Sequence, residues 1–120
     1  MNDRIGAVSH NGKQILVVDL SNCSTTEVEK TVRAVPEVVT ARALNSVLML
    51  VDFTEAAFDL EVLRAMKEAA VFNKPYIKRT AWVGAQTFPD VFRENLQSFS
   101  GRHFPTFKSR LEALEWLTAD

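Results

Sequence analysis

The sequence predicts an α/β fold: a single mixed five-stranded sheet, opened by an N-terminal hairpin and continued by βα units in the order ββαβαβαβα. Three observations predict it. Short apolar, β-branched runs alternate with stretches whose apolar residues recur every three or four positions. Asn11-Gly12 stands between the first two runs, and both residues tolerate the positive φ of a tight hairpin turn. Ser24 with Glu27, and Ser109 with Glu112, have the spacing of capping boxes that open helices. Helices alternating with strands imply parallel pairing through right-handed crossovers, while the hairpin adds an antiparallel edge.

In chain order, Ile5 to Val8 and Gln14 to Leu20 read as the hairpin strands. Ser24 then caps a helix with Val28, Val32 and Val35 on one side and Glu29, Lys30 and Arg33 on the other. Pro36 should interrupt or kink this helix, with helical chain resuming toward Arg42. Ser46 to Phe53 is apolar on both alternating sets, as in a central strand covered on two faces. Asp59 caps the second helix, whose stripe is Phe58, Val62, Met66 and Ala70, and Asn73-Lys74-Pro75 stops it. Ile77 to Val83 is the fourth strand, ending at Gly84. Thr87 opens a third helix with Phe88, Val91, Phe92, Leu96 and Phe99 inward, and Gly101 closes it. Phe104 to Phe107 is a short fifth strand, and Ser109 starts a last helix with Leu111, Leu114 and Leu117 inward.

Residues 1–120 fit one domain with one hydrophobic core. Hydrophobic residues at 47% and charged residues at 24% exclude a disordered chain. The 14 basic and 15 acidic residues nearly cancel, which gives no footprint for nucleic acid. Cys23 is the only cysteine, so no internal disulfide is possible and a reducing, cytoplasmic setting is expected. The longest apolar run, Val47 to Val51, is too short for membrane insertion, and the opening residues lack the apolar core of a signal peptide.

The element order, together with Val47-Leu48-Met49-Leu50-Val51-Asp52-Phe53 followed by Phe58-Asp59-Leu60-Glu61, resembles the STAS domain of bacterial anti-sigma-factor antagonists. More narrowly it resembles the bacterial SpoIIAA-like proteins, some of which are grouped with the CRAL-TRIO lipid-binding fold. In that family an aspartate ends the central strand, a helix follows, and a basic residue opens the next strand, as Arg79 does before Thr80-Ala81-Trp82-Val83-Gly84. The resemblance implies a regulatory module that works by protein contact. It also implies a contact surface around the loop after the central strand, carried here by Asp52, Thr54, Glu55, Asp59 and Leu60. The sequence departs from the phospho-switch members, which carry an Asp-Ser pair at the start of the second helix. Phe58-Asp59-Leu60-Glu61 holds no hydroxyl, and Thr54 is the nearest one. The lipid-binding side of the resemblance implies the alternative, a carrier or sensor of a small apolar ligand.

Other residues could carry chemistry. Gly84, Gln86 and Thr87 link the fourth strand to the third helix, and their amides could hold a phosphate or carboxylate, although no glycine-rich phosphate loop is present. Asp19 and Asp52 both end strands, and with Lys108 they could mimic the Mg²⁺ site of a receiver domain; turn and cap roles fit them better. His10, His103 and Cys23 lack metal-ligand spacing, and nothing brings Cys23 to a histidine and an acid. Lys74, Lys78 and Arg79 read as a solvated edge, and the phenylalanines as core. Trp82 lies on a strand whose faces the sequence leaves unassigned. The expectation is a module that is not an enzyme and takes no cofactor or metal. Its partner would be another protein, with homodimer formation left open.

Overall fold

The computed structural model describes residues 3–119, and of Thr87 the backbone only. β1 (Ile5–His10) and β2 (Lys13–Asp19) form the antiparallel hairpin, with Asn11 at φ 51° and Gly12 at φ 76°. α1 (Thr25–Val39), β3 (Val47–Asp52), α2 (Leu60–Asn73) and β4 (Ile77–Val83) follow, then α3 (Asp90–Ser100), β5 (Thr106–Phe107) and α4 (Arg110–Thr118). The sheet order is β1-β2-β3-β4-β5, with every pairing after the hairpin parallel.

That monotonic order has a steric consequence. Crossovers of one hand that always step the same way deposit their helices on one face. Leu16, Val18, Met49, Val51 and Trp82 therefore point into a core shared with α1, α2 and α3. The alternate residues Ile15, Val17, Leu48, Leu50, Ala81 and Val83 point to the other face, which α4 covers with Ala113 and Leu117. Every residue of β3 is buried, as a strand with helices on both sides requires.

Several elements differ from expectation. α1 runs through Pro36 to Val39, losing only the one amide that the Val32 carbonyl would accept, so close to the end that the last turn survives. Ser24 and Glu27 do form the full capping box. α3 begins at Asp90 with Pro89 as its cap, because residues 85–87 form a separate 3₁₀ turn after Gly84. Val91 and Phe99, expected inward, are 65% and 60% exposed. α3 lies over a two-residue edge strand, so only the stripe of Phe92, Leu96 and Ser100 finds anything to cover. Leu111 is likewise exposed, since Ala113 and Leu117 set the inward phase of α4.

Candidate functional site

The alternation of β2 and β3 sends Asp19 and Asp52 to the α4 face at the carboxyl ends of neighbouring strands, directly paired in register. Two adjacent carboxylates repel, and Arg110, the first residue of α4, resolves the conflict. Its Nε donates to Asp52 Oδ2 at 2.8 Å, and its Nη2 lies 3.4 Å from Asp19 Oδ1. A cation at a helix N-terminus opposes the helix dipole, so its placement there is explained by the carboxylate pair. Each aspartate also closes the same local turn. Asp52 Oδ1 accepts from the Thr54 amide at 2.9 Å and hydroxyl at 2.6 Å; Asp19 Oδ1 accepts from the Ser21 amide at 3.0 Å and hydroxyl at 2.5 Å. Arg110 thus bridges the two acids. No cluster of three or more candidate metal ligands occurs among the described residues.

Burial pushes the Asp52 carboxyl up, but the Thr54 hydrogen bonds and the Arg110 guanidinium together outweigh it and hold the group below its ordinary value of 3.8. The native state then binds fewer protons than the unfolded chain across that interval. This contribution to stability is complete above 3.8 and is lost as the pH falls through that value toward the lower native one. Arg110→Ala is expected to cost about 1–2 kcal/mol at neutral pH, and less in acid, because the Asp52 contribution is lost progressively below 3.8. Urea melts of both proteins at pH 7 and pH 3 check it, and an equal cost at both would show that the ion pair contributes nothing.

Three loops are laced together above these aspartates. The Asn22 amide donates to the Thr54 carbonyl at 2.8 Å, the Phe53 amide to Val83 at 2.8 Å, and the Ala57 amide to Cys23 at 3.0 Å. Gly84 packs so closely on Thr54 that an added Cβ would lie 2.7 Å from its backbone nitrogen. Glu55 sits at the tip in the left-handed region, φ 56°. Asp59 caps α2 by accepting from the Val62 amide at 2.8 Å. Leu60, the next residue, is 72% exposed.

Of the contact residues named from sequence, Thr54, Glu55, Asp59 and Leu60 are therefore exposed along one loop and helix start. Asp52 is not; at 6% exposure it supports the loop from beneath, because its strand position points it under α4. Gly84, Gln86 and Thr87 do not assemble as a single site. Gly84 is buried against Thr54, whereas Gln86 lines an open recess with Arg93 and Lys108. The Thr87 side chain lies outside the described residues. Cys23 is buried, and burial pushes its thiol up, away from the reactive thiolate. His10 pairs with Glu115 across 3.2 Å.

Between the sheet and the three-helix layer lies an interior cavity of about 60 Å³, lined mainly by apolar side chains including Leu20, Met49, Phe53 and Trp82. Its polar wall is Asn73, Thr80 and Arg102, and the Asn73 Oδ1 has no hydrogen-bond partner among the described residues. Neither Arg110 nor Arg102 was singled out from sequence. Arg110 had a faint signal, a cation directly after a helix cap; Arg102 had none.

No family model matches the chain, and no curated protein matches it. Among solved structures it is similar to an uncharacterized protein from the DUF3478 family, with a SpoIIAA-like fold, from Shewanella loihica PV-4. The superposition covers 94% of this chain and 91% of that one, with a TM-score of 0.68 and 17% identity. The fold of this chain is SpoIIAA-like.

Proposed function

We propose that the chain is a non-catalytic interaction module that binds another protein through the β3–α2 loop and the first turn of α2. Leu60 carries this reading: a large apolar side chain, 72% exposed, flanked in sequence by Asp59 and Glu61 and five residues after Glu55. The loop bearing it is stitched to its neighbours, so little ordering entropy would be lost on binding. A complementary partner would offer an apolar pocket with a basic rim. With no hydroxyl at residues 58–61, contact would not be gated by phosphate at the helix start.

Glu55→Asn together with Leu60→Ser removes the charge and the apolar anchor, and asparagine tolerates the left-handed backbone at residue 55. The double variant should melt within about 0.5 kcal/mol of the parent. Its capture of partners in quantitative pull-downs should fall by about tenfold, roughly 1.4 kcal/mol. A folded variant that captures at parental strength rejects this surface. Light scattering of both proteins shows whether the occupant is a second copy of the chain.

Carriage of a small apolar ligand has only the interior cavity behind it. At about 60 Å³ that space is well short of the roughly 300 Å³ at which small-molecule pockets begin. The geometry favours the contact module.

A further inference from the structure

The opposite end of the sheet, where the parallel strands begin, has a different character. Two recesses of about 380 Å³ each open there, one against Trp116 and the other against Gln14 and Ser46, and Lys78 lines both. Their size is that of a small-molecule site. The placement of Lys78 follows from the sheet. Between the pairs Val47–Ile77 and Leu48–Arg79 the register slips by one residue, leaving Lys78 unpaired at the strand start. Lys74, Arg79, Arg102 and His103 complete the first recess, and Arg42 stands in the second. No carboxylate lines either recess among the described residues.

The arginines show how unusual this end is for the molecule. Arg4, Arg33, Arg64 and Arg110 each lie within ion-pair distance of an acid. Arg93, near β5, is held by neutral oxygens but shares its recess with Asp90 and Glu112. At the amino end, the arginines meet only neutral acceptors among the described residues. Arg42 donates to Gln14 Oε1 at 3.3 Å, Arg79 to the carbonyls of Trp116 and Ala119 at 3.0 and 2.9 Å, and Arg102 to the Ala70 carbonyl and Thr80 hydroxyl at 3.1 and 2.6 Å. The ends of α2 and α4 thus account for where Arg102 and Arg79 sit. They do not account for Lys78 and His103, which make no hydrogen bond or ion pair among the described residues, yet gather at the same recess.

Arg102 also separates this recess from the interior cavity, lining both together with Thr80. Burial pulls its guanidinium down to about 10, so it keeps its charge at neutral pH without a counterion. A chain with a formal net charge of -1 has concentrated positive charge in a concave place with an aromatic wall and, among the described residues, no lining carboxylate.

We propose that this recess binds a small phosphorylated molecule, its phosphates held by Lys74, Lys78, Arg102 and His103. Several cations converging on one concavity suit multiply charged phosphate oxygens, and arginine adds its forked donors. The site lies at the other end of the strands from the proposed partner surface, so the two can be tested separately.

The experiment is calorimetric titration of the full chain with inorganic pyrophosphate, beside flotation with phosphatidylcholine vesicles made with and without phosphatidic acid. The test variant is Lys78→Gln with His103→Gln, both at exposed positions, so that melting stays unchanged. Pyrophosphate binding that weakens about tenfold in this variant, and falls with added salt, supports the proposal. Variant-sensitive binding to phosphatidic acid vesicles alone also supports it and names a lipid headgroup as the source. Binding in neither arm overturns it, as does binding that the double variant leaves untouched. Glu55→Asn with Leu60→Ser should leave pyrophosphate affinity unchanged, which keeps failure here distinct from failure of the partner surface.

Discussion

Gly84→Ala is expected to destabilise the protein by about 4 kcal/mol, near the upper end for a single substitution. Two effects add. Gly84 has φ 68°, and placing a residue with a Cβ in the left-handed region costs about 1–2 kcal/mol. The new Cβ would also overlap Thr54 Oγ1 and stand 2.7 Å from its nitrogen and 2.8 Å from its Cα. The hydroxyl could rotate away; the backbone cannot move freely. The Thr54 amide is held by Asp52 Oδ1 and its carbonyl by the Asn22 amide. Relief at Gly84 therefore means loosening a neighbouring loop. For a domain of this size the melting temperature should fall by roughly 16 °C. Calorimetry checks it, and a fall of only a few degrees would mean that the laced loops yield easily.

Trp82→Ala should cost about as much, 3–5 kcal/mol by the usual cost of emptying a large aromatic site. Trp82 is 2% exposed and stacks on Phe104 at 4.9 Å, with Phe53 and Phe88 meeting its edges at 4.7 and 5.0 Å. It also lines the interior cavity, so truncation would enlarge a space already present. Guanidinium unfolding followed by circular dichroism measures the loss. Trp82→Phe should recover about half of it, since it keeps one ring in the cluster. A loss below about 1 kcal/mol would show that the surrounding rings collapse into the gap.

The fold was legible because its determinants are local and periodic. The hairpin needed only Asn11-Gly12, and the central strand announced itself by a run apolar on both faces. The four helices were visible in spacing, and α1, α2 and α4 in their caps as well. The apolar residues wrongly expected inward share one cause, which is that periodicity describes a helix but not how much surface its neighbours offer. Val91, Phe99 and Leu111 continue an apolar pattern beyond the area that β5 and the sheet can cover. Trp82 could not be assigned a face until β4 was registered against β3.

The candidate site was half legible for a similar reason. Thr54, Glu55, Asp59 and Leu60 are consecutive or nearly so, and the place after a central strand is where α/β sheets expose their loops. Asp52 lies beneath α4 and not on the exposed loop, because strand alternation, and not chain position, decides whether an end residue faces outward. The Asp19–Asp52–Arg110 arrangement joins residues up to 91 positions apart in sequence, and no spacing rule reaches that far. The cationic recess was seen only as Lys74, Lys78 and Arg79, three neighbours on a presumed solvated edge; Arg102 and His103 come from another crossover.

The strand order also bears on how the chain assembles during synthesis. Because α1, α2 and α3 all serve one face, each can dock as soon as its flanking strands have emerged. The face carrying Ile15, Val17, Leu48 and Leu50 waits for residues 110–118, and the bonds from α4 back to the hairpin turn bridge 105 residues, as between His10 and Glu115 or Lys13 and Thr118. Translation at about 5–20 residues per second leaves that wet apolar face uncovered for several seconds after β2 has formed, which makes it the surface of the nascent chain on which a chaperone would have most to hold.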